Sequence, residues 1–232
     1  MNVIISGATK GIGRAIAEIF ARNGATVAIC ARNATDLQTF KAHLETTYKT
    51  EVLTYTCDVS VREQVQAFAA YVTERWSTVD VLINNAGFFM PGQVINEAEG
   101  NLEAQINTNL YSAYYLTRGV IPAILPQRKG YIFNICSIAS FTAYPSGGSY
   151  SISKFAMLGL SKALREELKP HNISVTSVMP GAVLTASWEG TNLPDSRFID
   201  VEEVALLIYN TAQLSPRTVV EDIVIRPMLG DI

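Results

Sequence analysis

Short apolar runs rich in β-branched residues alternate along the chain with longer segments whose apolar residues recur every three to four positions. Residues 3–6, 26–30, 52–57, 81–83, 131–135, 174–178 and 222–225 read as strands. After the first strand, Ile12, Ala15, Ile16, Ile19 and Phe20 share one helical face, and Gly24 stands where that helix would stop. A polar helix over 34–48 follows the second strand. The next helix carries Val61, Val65, Phe68, Ala69, Val72 and Trp76 on one face. A long helical segment separates the fourth and fifth strands, and another helix lies near 201–212. Strict alternation of strand and helix predicts a parallel sheet covered on both faces, with right-handed crossovers. The expected fold is therefore α/β, a doubly wound, mostly parallel seven-stranded sheet. Without a linker, repeat or low-complexity stretch, residues 1–232 read as a single domain.

Composition narrows the class. Hydrophobic residues make up 48% of the 232 residues, which excludes intrinsic disorder. Charged residues make up only 17%, below the usual value of about 25%, so part of the surface is expected to be covered by another subunit. With 18 basic against 21 acidic residues, the net charge is −3, and the basic footprint of a nucleic-acid binder is missing. No apolar run approaches the roughly 18 residues of a membrane span. The opening Met1-Asn2-Val3-Ile4-Ile5 lacks the basic start and long apolar centre of a signal peptide, so a cytoplasmic location is expected. Cys30, Cys57 and Cys136 form no CxxC pair and read as buried thiols in a reducing compartment. Because Cys136 adjoins Ser137, a reactive thiol there stays open. His43 and His171 lie far apart without partners, so no metal site is expected.

The first strand runs into Ser6-Gly7-Ala8-Thr9-Lys10-Gly11-Ile12-Gly13, and a helix begins at once. Between a strand and an amphipathic helix, such glycines let the turn close and let backbone approach a pyrophosphate. The helix N-terminus adds free N–H groups and partial positive charge. Gly7, Thr9, Lys10, Gly11, Ile12 and Gly13 are thus candidates to cradle a dinucleotide in a Rossmann-type fold.

The end of the second strand bears on which dinucleotide fits. A carboxylate there would bind a ribose 2′-hydroxyl and repel a 2′-phosphate. This chain has Ala31-Arg32 and no acid until Asp36. Arg32, with Lys10 from the glycine loop, would face a group of charge about −1.5 to −2, which favours NADP(H) over NAD(H). The competing reading makes both residues ordinary surface cations.

The second half holds Ser137, Tyr150 and Lys154. Four positions apart in a helix-forming segment, Tyr150 and Lys154 share a face, and Ser137 ends a strand at the carboxyl edge of the sheet. Hydride exchange with a carbonyl needs a proton at the oxygen, and a phenol near pKa 10 is a poor base at neutral pH. The Lys154 ammonium, together with the positive charge of an oxidised nicotinamide, would favour phenolate, and lowering the Tyr150 pKa by about 2–3 units needs roughly 3–4 kcal/mol. Ser137 would hold the substrate oxygen.

Taken together, Gly7-x-x-x-Gly11-x-Gly13, Cys57-Asp58-Val59, Asn84-Asn85-Ala86-Gly87, Asn109, Ser137, Tyr150-x-x-x-Lys154 and Pro180-Gly181 make the chain resemble the compact, single-domain short-chain dehydrogenases/reductases. The resemblance covers essentially the whole chain. It implies that Asp58 and Val59 flank the adenine, and that Asn85, Ala86 and Gly87 line the cofactor groove. Asn109 would bend its helix and support a water relay from Lys154, which would also bind the nicotinamide ribose. Pro180, Gly181, Val183 and Thr185 would meet the nicotinamide end. Asn84 and Asn109 can also be read as turn or cap residues. Ser6 stands where the family usually has threonine and keeps the hydroxyl.

Phe88, Phe89, Met90, Ile138, Phe141, Tyr144 and Trp188 are candidate walls for a small carbonyl or alcohol substrate with an apolar body. Core packing accounts equally well for several of them. On the Tyr150 segment, Ile152, Phe155, Met157, Leu158, Leu160, Leu164 and Leu168 spread wider than one stripe, which predicts a second subunit and a homodimer or homotetramer. The expected activity is that of an NADP-dependent oxidoreductase acting on CH–OH or C=O groups. A non-catalytic dinucleotide-binding sensor or scaffold is the alternative. An epimerase or dehydratase using the same cofactor is a third reading, disfavoured because only some 50 residues follow Pro180 where such relatives usually carry a longer substrate domain.

Overall fold

The computed structural model describes residues 1–188 and 190–232. The chain runs β1 (Asn2–Ser6), α1 (Gly11–Arg22), β2 (Thr26–Ala31), α2 (Ala34–Tyr48), β3 (Val52–Thr56), α3 (Arg62–Thr73) and β4 (Val81–Asn84). It continues with α4 (Asn101–Ile106), α5 (Ser112–Ile124), β5 (Gly130–Ile135), α6 (Gly148–Leu168), β6 (Ile173–Pro180), α7 (Val201–Ala212) and β7 (Asp222–Ile225). The strands form one seven-stranded sheet in the order β3-β2-β1-β4-β5-β6-β7. Every pairing is parallel. All seven strands sit where the apolar runs predict them.

Period-two alternation divides the core between the two faces. Val3 and Ile5 of β1 face one side with Phe20 of α1, Phe40 of α2 and Ile208 of α7. Ile4 faces the other side with Phe68 of α3 and Val120 of α5. Each helix is held because its apolar stripe lies against one of these layers; burying one such side chain contributes about 1.5–3 kcal/mol.

β1 lies between β2 and β4, so chain order reverses direction there. In open parallel sheets a crevice forms outside the carboxyl ends of the strands at such a point.

The connection from β4 to β5 differs from the expected long helical segment. Gly87, Pro91, Gly92 and Gly100 interrupt residues 85–100, and helix begins only at Asn101. A π-helical turn, Asn107–Tyr111, then separates α4 from α5. The resemblance predicted a distorted helix at Asn109, and the distortion is present. Among the described residues, no helix is long and apolar enough to cross a membrane.

Candidate active site

Polar side chains lock the end of β1 to the end of β4. Asn85 donates from Nδ2 to the carbonyls of Ser6 (2.9 Å) and Gly7 (2.8 Å). The Ser6 hydroxyl accepts from the N–H groups of Asn85 and Ala86, both at 3.1 Å. Gly7 has φ +67, which favours glycine, and a Cβ on Gly13 would lie 2.3 Å from Asn85 Nδ2 and 2.4 Å from the Gly7 carbonyl. Gly11 brings the loop close to Thr185, whose Cγ2 would be 3.2 Å from a Cβ there. Thus the glycine loop, residues 85–87 and Thr185 border one crevice.

Lys10 caps α1 and is exposed, as is Arg32 just beyond β2. Among the described residues neither is held in an ion pair. Asp58 accepts from the Ser60 hydroxyl (2.7 Å) and N–H (3.0 Å). These bonds, with the Arg32 charge nearby, hold its carboxyl below its ordinary pKa despite some burial. Val59, next in the chain, packs at the edge of the core beside α3. Gly181 donates to the Ile225 carbonyl at 2.8 Å and follows Pro180, the last residue of β6; Val183 bridges to Ile199.

Ser137, Tyr150 and Lys154 converge. Ser137 follows β5 and caps the short turn Ile138–Ser140, its hydroxyl accepting from the Ala139 N–H. Tyr150 sits in the first turn of α6 and Lys154 one turn later. Lys154 Nζ lies 5.7 Å from the Tyr150 ring centroid and donates to the Ile135 carbonyl at 2.8 Å. Burial raises the Tyr150 phenol above its ordinary pKa, while the Ser137 hydroxyl pulls the other way. The lowering expected of Lys154 acting with an oxidised nicotinamide is not produced by the protein groups alone. Burial also lowers the Lys154 ammonium, with Cys136 pulling the other way. Cys136 is buried and its thiol is raised, chiefly by desolvation. That favours the inert thiol over a reactive one.

Asn109 is drawn into this cluster. It grips Phe88 through both main-chain groups, at 2.9 and 3.0 Å, and donates to the Ser153 hydroxyl at 2.9 Å. Gly87 lies over both Asn109 Oδ1 and Lys154 Nζ, 3.1 and 3.6 Å from where its Cβ would be.

The aromatic residues divide. Phe89 meets Tyr150 edge to face, with ring centroids 5.0 Å apart, and Tyr144 lies 6.5 Å from Phe89. Trp188 instead packs on Phe198, and Phe141 lies under Arg226. Sequence reasoning missed Ser153, Gln105 and Glu97, all hydrogen-bonded in or around this cluster; only the four-residue spacing of Asn101, Gln105 and Asn109 hinted at it. No group of three or more potential metal ligands occurs among the described residues.

The family model described as short chain dehydrogenase matches residues 1–195. The chain is 33% identical over 239 residues to a sepiapterin reductase from Chlorobaculum tepidum, covering 99% of this chain and 97% of that protein. An alcohol dehydrogenase from the archaeon Thermococcus sibiricus, complexed with 5-hydroxy-NADP, superposes with a TM-score of 0.93 at 27% identity, covering 100% of this chain and 98% of that one. The L-sorbose reductase of Gluconobacter frateurii, complexed with NADPH and L-sorbose, gives 0.90 at 26% identity, covering 97% and 95%. This chain belongs to the short-chain dehydrogenase family. It is an oxidoreductase of the kind that acts on carbonyl or alcohol groups.

The crowding at Gly13 makes a stability prediction. Gly13→Ala, which drives a methyl into a backbone carbonyl, is expected to cost about 1–3 kcal/mol in urea unfolding. Gly159→Ala, on α6 with nothing within 4 Å of its Cβ, is expected to be neutral or stabilising. A Gly13→Ala midpoint equal to wild type would contradict the packing described.

Proposed function

We propose that this protein is an NADP(H)-dependent carbonyl reductase or alcohol dehydrogenase in which Tyr150 exchanges the proton at the substrate oxygen. The observation that carries this reading is the convergence of Ser137, Tyr150 and Lys154 beside the crevice at Gly87. The crevice fits a dinucleotide because the left-handed Gly7 and the crowded Gly13 leave the loop room for backbone alone. Residues 1–232 then act as one binding and catalytic domain.

Gly7, Thr9, Lys10, Gly11, Ile12 and Gly13 would hold the pyrophosphate, with Asp58 and Val59 beside the adenine. Asn85, Ala86 and Gly87 would line the groove. Pro180, Gly181, Val183 and Thr185 would border the nicotinamide end. Arg32 and Lys10, exposed and unpaired with any acid among the described residues, are available to a 2′-phosphate, which supports NADP(H) over NAD(H). The two solved relatives described above hold NADP forms, which agrees with this choice.

When bound, nicotinamide supplies or accepts the hydride. Ser137 holds the substrate oxygen where charge develops. Tyr150, kept protonated by burial, gives its proton to that oxygen during reduction. Lys154 binds the ribose and, with its charge one turn away, makes the phenolate left after transfer less unfavourable. Asn109 keeps Phe88 and Ser153 in place and supports resupply of the proton through Lys154.

Association fits the exposed face of α6. Ile152 is 42% and Phe155 46% exposed in the single chain, and Tyr111 and Tyr114 are exposed on the neighbouring π turn and α5. A second copy covering this face would form a homodimer or homotetramer. Buried free thiols suit the reducing cytoplasm.

Four outcomes are expected. Tyr150→Phe should cut NADPH-dependent reduction of ketones by about 10²–10⁴-fold, as loss of general acid catalysis does. Because reduction needs the phenol protonated, the wild-type rate should hold at neutral pH and fall as pH rises through the Tyr150 pKa, while alcohol oxidation rises through the same value. Turnover that survives Tyr150→Phe would contradict Tyr150 as the proton donor. Arg32→Asp should lower the NADPH-to-NADH ratio of kcat/KM by roughly ten- to a hundredfold, the worth of a charge-assisted hydrogen bond; an unchanged ratio contradicts the cofactor choice. Sedimentation at micromolar concentration should give a dimer or tetramer that Phe155→Arg dissociates. A wild-type monomer of 25.3 kDa would contradict the assembly.

A further inference from the structure

Asn101, Gln105 and Asn109 stand four positions apart along α4 and the π turn, and all three side chains are buried. Gln105, at 0% exposure, accepts from the Met90 N–H and donates to the Met90 carbonyl, both at 3.3 Å. Asn109 does the same to Phe88. Two carboxamides therefore pair with residues 88 and 90 as a neighbouring strand would. Side chains alternate along extended backbone, so Phe89 is turned the opposite way, onto the Tyr150 ring.

The ladder closes at its other end as well. Asn101 donates to Glu97 at 2.8 Å and accepts from Gln105 at 3.2 Å. Glu97 accepts from the hydroxyl of Ser149, the residue before Tyr150. The main chain of Gly92 pairs with Ser146 and Gly148 at 2.9 and 3.0 Å. The 88–97 segment is thus held on both sides of Phe89 by Asn109 and Gln105, and beyond it is tied to the start of α6 at Gly92 and Glu97.

We infer that Gln105 is a positioning residue which holds Phe89 against Tyr150, and that Phe89 selects carbonyl substrates bearing a flat aromatic or conjugated ring. Phe89 is 45% exposed beside the phenol, and Tyr144 is likewise exposed next to it, so two ring surfaces stand free at the site. Aromatic rings pair best at centroid separations of about 4.5–7 Å, a span a flat substrate can match and a branched aliphatic one cannot. A ring held by a pinned backbone loses little freedom on binding, which favours affinity. This inference rests on the oxidoreductase reading above.

The test compares kcat/KM for an aryl methyl ketone and a small aliphatic ketone. Phe89→Ala is expected to lower the aryl-to-aliphatic ratio by about tenfold, mostly through KM, the size of one lost aromatic pair, and Phe89→Tyr should restore it. Gln105→Met, of similar volume without the amide, should move the ratio the same way. The double variant should fall no further than Phe89→Ala, because both changes act through one ring. Gln105→Asn, which cannot span the same gap, serves if Gln105→Met does not fold. Independently of activity, amide exchange at Met90 should accelerate in Gln105→Met. An unchanged ratio in Phe89→Ala, additive losses in the double variant, or unaltered Met90 exchange would overturn the inference. A wild-type protein inert toward both ketones would instead overturn the carbonyl-reductase reading proposed above, and the selection with it, while Met90 exchange still judges the clamp.

Discussion

The carboxamide of Asn85 bonds two successive carbonyls where β1 turns into the glycine loop, and the Ser6 hydroxyl returns two bonds to the start of the following segment. Four hydrogen bonds join the ends of two neighbouring strands just where the sheet order reverses. They satisfy backbone groups that no strand partner could reach, and they bring Gly13 into contact with the loop it closes. The remaining features of the crevice follow. With the β4 end fixed, Gly87 lies over Lys154 and Asn109, and the chain leaves in the direction that presents Phe88–Met90 to α4.

α6 inverts the usual rule for a helix on a sheet. Ser149, Ser153, Lys154 and Ser161 are buried while Ile152 and Phe155 face outward. Four of the inward polar groups have partners, Ser149 with Glu97, Ser153 with Asn109, Lys154 with the Ile135 carbonyl, and Ser161 with Asn134, while the buried Ser151 hydroxyl has none among the described residues. Burying an ammonium is costly, and its lowered pKa expresses that cost. A chain selected for stability alone would place leucines here. The polar inner face makes sense as the wall of a site that handles a proton, and the apolar outer face as one that another subunit covers.

Much of this was legible in the residues. The seven strands could be read because each is a short β-branched run, and the crevice could be placed because the glycine loop fixes which end of the sheet is open. Tyr150, Lys154 and Ser137 were legible because their spacing has chemical meaning. What escaped was tertiary. No local pattern tells that Gln105 reaches back to Met90, fifteen residues earlier, or that Glu97 meets Ser149. The π turn at Asn107–Tyr111 was legible only through the family's treatment of Asn109, since its sequence Asn-Thr-Asn-Leu-Tyr carries no glycine or proline to mark a break. The size of the desolvation at Tyr150 escaped as well. Spacing suggested a lysine that, with the charge of an oxidised nicotinamide, makes the phenol acidic, whereas desolvation dominates when only protein surrounds it.

The account stands on one geometric relation, between a half-buried hydroxyl and the carbon that gives up or takes the hydride. A crystal structure of the complex with NADPH and a slow ketone measures it directly. The account predicts the Tyr150 oxygen within hydrogen-bonding distance of the ketone oxygen, with Ser137 on its other side and the carbonyl carbon facing C4 of the nicotinamide. A phenol turned to bulk solvent, or a nicotinamide lying away from Gly87 and Thr185, would contradict it.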